Sequence, residues 1–243
     1  MTGMPDEPPA RSPSPAPPRP RPDVRVVLGA AALVLVAVPF TLTVFLVEDR
    51  WAPLWHADSG ARDGLHRIAV DHPGFVGAMQ VISDAGSVVA WVVVWVLTVA
   101  WLLRHRLPRL ALFVVVTVAG SVLLNALVKE SVHRLRPVLA DPVAHAQGLS
   151  FPSGHAQSAI VGYSLLLLVY LPGLSGAWRR VAVAGAVLMV LAIGFSRVAL
   201  GVHYVSDVWA GYVLGAAWLA AMVAAFDVIG IDRQNCLQVT SGR

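Results

Sequence analysis

Charge is scarce in this chain: 13% of its 243 residues are Asp, Glu, Lys or Arg, against about 25% in a soluble domain. With 57% of its residues hydrophobic, it cannot cover a water-facing surface with polar groups. Cysteine is nearly absent as well. The single Cys236 excludes an intramolecular disulfide and a cysteine-built metal cluster. No HExxH helix or aspartate cluster occurs, and Asp58, Asp63, Asp71 and Asp84 are too scattered to suggest a metal site, so neither a metal nor another cofactor is expected. The net charge of +4 does not imply nucleic acid, because no basic cluster is interleaved with stacking aromatics.

What is present is a series of long uncharged runs. Residues 26–47, 85–103, 110–128 and 208–226 approach or pass the length of about 18 residues that crosses a bilayer. Residues 156–171 and 181–196 add two shorter candidates. Open strands would leave backbone groups unpaired in lipid, and the runs are too long and too uniformly apolar for barrel strands. The expected fold is therefore all-α, an integral membrane bundle of six helices over residues 24–226. Residues 1–23, rich in proline and serine, read as a disordered tail, and 227–243 as a C-terminal tail.

Arginines suggest the topology. Arg11, Arg19, Arg21 and Arg25 precede the first span, RHRLPR follows the second, and Arg179 and Arg180 precede the fifth. Six spans place all three segments on one side, which the positive-inside rule makes cytoplasmic together with both termini. There the arginines can also meet anionic lipids. Residues 48–84 then lie outside, with short interfacial helices broken at Pro73.

Three polar clusters interrupt the apolar sequence, all at outer ends of expected spans. In KESVHRLRP, Lys129 offers a point charge and Arg136 a planar fork, both suited to phosphate oxygens. In FPSGHAQSA, Pro152, Ser153 and Gly154 resemble a helix start, where backbone N–H groups hold anions, and His155 can move a proton near neutral pH. In SRVALGVHYVSD, His203 and Asp207 are four apart and would share a helix face, the carboxylate holding one ring nitrogen and freeing the other to attack phosphorus. Arg197 can neutralise phosphoryl oxygens. Each cluster alone could be a cap, a loop or a headgroup contact; together they point to phosphoryl chemistry. His133 and Arg134 read as solvated loop positions.

The clusters resemble the three-part signature of the type 2 phosphatidic acid phosphatase (PAP2) superfamily, which includes lipid phosphate phosphatases. The signature is complete here: Lys129 with Arg136 and Pro137, then Pro152 to His155, then Ser196 and Arg197 with His203 and Asp207. The resemblance implies a metal-independent phosphatase. His203 would form a phosphohistidine, Asp207 would orient it, and His155 would protonate the leaving alcohol and then activate water. Lys129, Arg136, Ser153, Gly154 and Arg197 would hold the phosphate.

The expected protein is a multi-pass cell-membrane enzyme with its site on the extracytoplasmic face. Phosphatidic acid, phosphatidylglycerol phosphate and undecaprenyl diphosphate all fit as substrates, since each ends in a terminal phosphoryl group. The competing reading is a transporter or binding protein for lipid phosphates without turnover, which leaves the pairing of His203 with Asp207 unused. An adaptor working through its proline-rich tail would tolerate replacement of all these residues. The sequence specifies no oligomeric state.

Overall fold

The computed structural model describes residues 24–226. The expected tails at 1–23 and 227–243, with Cys236, lie outside the described residues. Eight α-helices follow one another: α1 (Val24–Glu48), α2 (Ala52–Asp71), α3 (Pro73–Asp84), α4 (Val88–Arg104), α5 (Pro108–Val132), α6 (Gly154–Tyr170), α7 (Gly176–Ala199) and α8 (Val205–Phe226).

Local chemistry sets the boundaries. Pro73 lacks the N–H that would continue α2, so the chain turns extended at His72 (φ −132°, ψ 83°) and restarts with proline in the first turn of α3. Ser87 caps α4 by accepting the Ala90 N–H at 3.3 Å. Pro108 opens α5, and the left-handed His133 (φ 51°) closes it, its N–H donating to the Lys129 carbonyl at 3.0 Å.

Among the described residues, five helical stretches are long and apolar enough to cross a membrane: Pro73–Arg104, which joins α3 to α4, then Pro108–Val132, Gly154–Gly173, Gly176–Ala199 and Val205–Phe226. Val89, Leu97, Val122, Leu123 and Leu188 are among many large apolar side chains left exposed on α4, α5 and α7. Such a surface is solvated by lipid, not water. The chain is an all-α, multi-pass membrane protein. The expected first span, 26–47, lies within α1.

The expected spans differ from the helices in informative ways. The run 181–196, short for a bilayer, is the inner part of the 24-residue α7, and Arg179 and Arg180 stand near the start of that helix. Residues 48–84 are helical almost throughout, since α2 and α3 meet at a single break. Lys129 lies in the last turn of α5.

Helix α8 packs against α1 and α6, α6 against α7, and α3 against α7. Leu102, Phe113, Val114, Val161 and Leu165 form an apolar core where α4, α5 and α6 meet, at the end of the bundle away from the polar clusters. Near those clusters α8 approaches α6 through glycine: a Cβ on Gly211 would stand 2.6 Å from the Ser153 carbonyl oxygen. That close approach brings the first turns of α6 and α8 side by side.

Candidate active site

The site lies where α5, α6, α7 and α8 end or begin. His203 is in the connection between α7 and α8, not on a helix, and Asp207 is in the first turn of α8. The expectation of a shared helix face is thus corrected. The pair forms instead because Asp207 caps α8: its carboxylate accepts the Tyr204 N–H at 2.9 Å, the returning half of a capping box. That places Oδ2 3.3 Å from Nδ1 of the buried His203 ring.

The tautomer of His203 follows from its neighbours. Arg136 Nη1 stands 3.1 Å from Nε2, and a guanidinium only donates, so Nε2 is the acceptor and the ring proton sits on Nδ1, facing Asp207. Burial drives the His203 pKa down to about 4, with Arg136 and Arg197 adding to the effect while the Asp207 carboxylate opposes it. At neutral pH the ring is uncharged and the Nε2 lone pair accepts the Arg136 N–H.

Asp207 is fully buried and heavily engaged. It accepts from Ser150 Oγ, from Tyr204 N–H and, at 2.6 Å, from Arg134 Nη1. Arg134 also donates to Ser206 Oγ at 2.7 Å and to Asp58 Oδ2 at 2.8 Å, and its guanidinium lies 4.2 Å from the centre of the Tyr204 ring. Asp58, buried on α2, in turn accepts the N–H and hydroxyl of Ser206. The reading of Arg134 as a solvated loop residue is overturned: an arginine between two buried carboxylates is held there by charge. His133, by contrast, is exposed at the α5 terminus, 3.8 Å from Glu130.

The other candidates are distributed as follows. Arg136 Nε donates to the carbonyls of Gln147 (3.2 Å) and Gly148 (3.1 Å), and Nη1 to that of Val202 (2.8 Å). Lys129 Nζ donates to the Leu149 carbonyl at 2.8 Å. Both cations therefore pin the returning loop, and Arg136 alone of the two bonds His203. Arg197 supplies its carbonyl to the His203 N–H at 3.3 Å and its guanidinium to Ser83 Oγ.

Ser153 is the residue before α6, yet its hydroxyl makes no cap, while its N–H donates to the Asp207 carbonyl at 2.9 Å. Among the described residues, Ser153 Oγ and Arg197 Nε are buried without a hydrogen-bond partner. Unpartnered buried donors are rare and costly, and donors of this kind suit an oxyanion. On Gly154 a Cβ would meet the Asn125 amide oxygen at 3.4 Å, so the backbone here runs close to Asn125. His155 lines a cavity of about 240 Å³ between α4, α5 and α6. It lies within electrostatic reach of Arg197, His203, Arg136 and Lys129. Among the described residues no group of three or more His, Cys, Asp or Glu side chains is placed to hold a metal ion.

Sequence reasoning missed Arg134, Asp58, Ser150 and Ser206. A second arginine two positions before Arg136, and a carboxylate on an amphipathic outer helix, were the available signals.

Comparisons with known proteins point to one family. The model of the PAP2 superfamily matches residues 110–230. Phosphatidylglycerophosphatase B of Bacillus subtilis (strain 168) is 43% identical over 108 residues, a match covering 43% of this chain and 52%, about half, of that protein's length. Decaprenylphosphoryl-5-phosphoribose phosphatase of Mycobacterium tuberculosis (strain ATCC 25618 / H37Rv) is 32% identical over 173 residues, covering 68% of this chain and 86% of that protein. The crystal structure of a transmembrane PAP2-type phosphatidylglycerolphosphate phosphatase from Bacillus subtilis superposes with a TM-score of 0.70 at 27% identity, over 84% of this chain and 96% of that one.

Proposed function

The chain belongs to the PAP2 superfamily and is classed with its lipid phosphatases, and we propose that it hydrolyses a membrane lipid phosphate through a phosphohistidine at His203. The observation that carries this reading is the His203 ring held between Asp207 on Nδ1 and Arg136 on Nε2.

In the first step Nε2 attacks phosphorus, forming the N–P bond as the P–O bond to the lipid alcohol breaks. Arg136, which passes its N–H from Nε2 to a phosphoryl oxygen and so frees the lone pair for attack, takes up the equatorial oxygens together with Arg197, Ser153 Oγ and the N-terminus of α6 at Gly154, and Lys129 adds positive charge nearby. His155 donates its proton to the departing alkoxide. Asp207 holds the Nδ1 proton and stabilises the charge that develops on the ring. In the second step His155, now neutral, takes a proton from water, whose oxygen attacks phosphorus. The N–P bond breaks, inorganic phosphate leaves, and both rings return to their starting states. Arg134 and Asp58 are positioning residues that fix Asp207.

A lipid substrate is supported by the cavity beside His155. Val88, Trp91, Val92, Trp95, Val118 and Val122 line it, and Val88, Val92 and Val122 also belong to the exposed apolar surface. It therefore opens sideways toward the bilayer, where an alkyl chain can lie while its phosphate reaches His203. The relatives' names make phosphatidylglycerol phosphate the first substrate to test, beside phosphatidic acid and undecaprenyl diphosphate. In this reading α1 supplies a sixth crossing, both termini are cytoplasmic and the site faces outward.

The test is phosphate release by the purified protein in detergent with EDTA, alongside acid-stable and base-stable label counts after quenching with ³²P-labelled substrate. Base-stable, acid-labile label that disappears in His203→Ala is expected. Release without any such label would remove the phosphohistidine step, and release from none of the three lipids would favour binding without turnover.

A further inference from the structure

One polar group in the cavity has no part in the scheme above. Asn125 lies in α5, four residues before Lys129, within an apolar span where an amide is costly unless it is used. Its orientation is determined by a chain of hydrogen bonds. Gln157 Nε2 donates at 2.9 Å to the Ser121 carbonyl, which can only accept, so the Gln157 oxygen is at the other end of its amide. That oxygen accepts from Asn125 Nδ2 at 2.8 Å. Asn125 Oδ1 is thereby turned away from Gln157. It comes within 3.4 Å of where a Cβ would stand on Gly154, the residue next to His155. Among the described residues no donor reaches it.

Asn125, Gly154 and His155 line the same cavity. With the phosphoryl group at His203 and the ester oxygen at His155, the first carbons of the leaving alcohol pass Gly154 on their way in. A fixed carbonyl oxygen accepts and never donates, so it is matched by a hydroxyl on those carbons and not by an ester, an alkene or a second phosphate.

We propose that Asn125 Oδ1 accepts a hydrogen bond from a free hydroxyl on the leaving alcohol, so that this chain selects lipid phosphomonoesters whose headgroup bears a hydroxyl on the second carbon from the phosphoester oxygen. A glycerol phosphate headgroup has that hydroxyl; phosphatidic acid and polyprenyl diphosphates do not. The selection rests on the phosphatase reading above and deepens it. A site built to bond a hydroxyl discriminates against the analogue lacking it more strongly than an apolar pocket discriminates by size.

The experiment uses the full-length protein in detergent with two substrates: phosphatidylglycerol phosphate, and the analogue in which the headgroup glycerol hydroxyl is replaced by hydrogen. The wild-type kcat/KM ratio is expected to favour the hydroxyl by roughly 10-fold or more. Asn125→Ala is expected to bring the ratio close to one, whatever its absolute rate, and Asn125→Asp, which keeps an oxygen acceptor, to preserve a preference. A wild-type ratio near one overturns the proposal while leaving the phosphatase reading intact, and this measurement does not depend on any variant folding. A preference that survives in Asn125→Ala overturns the assignment to this residue. Release from neither substrate, with release from phosphatidic acid or undecaprenyl diphosphate, overturns this proposal alone; release from none of these lipids overturns the phosphatase reading and this one with it.

Discussion

Around His203 the polar groups are engaged on all sides: Nδ1 with Asp207, Nε2 with Arg136, Asp207 with Ser150, Tyr204 and Arg134, and Arg134 with Asp58. Around the start of α6 the opposite holds. Ser153 Oγ and Arg197 Nε are buried with no partner among the described residues, and Asn125 turns an amide oxygen toward Gly154. A saturated network resists motion and fixes one geometry, whereas unpartnered donors are stabilised only by something that arrives. On the proposed reaction, the first region holds the attacking group in place and the second receives the group being attacked. Substitutions in the two should separate: turnover and stability fall together in the first, and substrate affinity falls with little loss of stability in the second.

The largest expected effect breaks the saturated side at its centre. His203→Ala removes the proposed nucleophile and is expected to lower kcat by about 10⁴-fold or more in the phosphate-release assay. Asp207→Asn keeps the shape but cannot hold the same tautomer as firmly, and a loss in kcat of about 10²- to 10⁴-fold with KM little changed is expected. A change confined to KM would place Asp207 among binding groups and erase the contrast.

Arg134→Gln comes next, and it acts on stability as well as rate. It leaves Asp58 and Asp207 buried without their cation, which destabilises by about 3–5 kcal/mol when one partner of a buried pair is removed. A large drop in the detergent melting temperature together with reduced kcat is the expected outcome. Arg134→Lys should recover part of the stability and less of the rate, because an ammonium cannot fork between two carboxylates. Normal melting in Arg134→Gln would show that the network is not what holds this side together.

Much of the site was legible as candidates because it is local in sequence. Lys129 and Arg136, Ser153 and His155, and His203 and Asp207 each fall within one short polar cluster, and polar residues stand out against apolar spans. Arg134 and Asp58 did not stand out, being 76 residues apart and meaningful only when α2 lies against the start of α8. The helical nature of the spans was readable from run length. The continuous helix at 52–84, broken only at His72, was less so, because an amphipathic outer segment lacks the apolar run that marks a span. Asn125 and Gln157 carried a signal that could have been used, since amides inside spans are expensive.

The pH profile sharpens the comparison from the His203 side. With its folded pKa at about 4, His203 is neutral and nucleophilic above that value and loses activity as pH falls through it. The expected acid limb of kcat/KM for the free protein is therefore near pH 4, well below that of an ordinary histidine. The unfolded ring binds its proton near 6.5, so between about 6.5 and 4 the unfolded state holds more protons, and stability should also decline as pH falls through that window. Because the Asp207 carboxylate raises the His203 pKa, Asp207→Asn should move the limb lower still. A limb near 6.5 would mean that water reaches the ring freely and that the saturated side is looser than its hydrogen bonds imply.

The smallest expected effect tests the receptive side. Ser153 Oγ bonds nothing among the described residues, so Ser153→Ala removes no hydrogen bond there and is expected to leave the melting temperature unchanged or slightly higher. The backbone bond from Ser153 N–H to the Asp207 carbonyl survives the change, so the first turns of α6 and α8 stay together. What is lost is one neutral donor to a phosphoryl oxygen, and inhibition by inorganic phosphate or vanadate should weaken by about 5- to 10-fold, in keeping with a hydrogen bond worth about 1–1.5 kcal/mol. The informative quantity is the ratio of the two effects, affinity lost against stability kept, and it should be the reverse of that for Arg134→Gln. If Ser153→Ala instead lowers stability and leaves inhibitor binding untouched, its hydroxyl is a structural group and the receptive side shrinks to Arg197 and the backbone of α6.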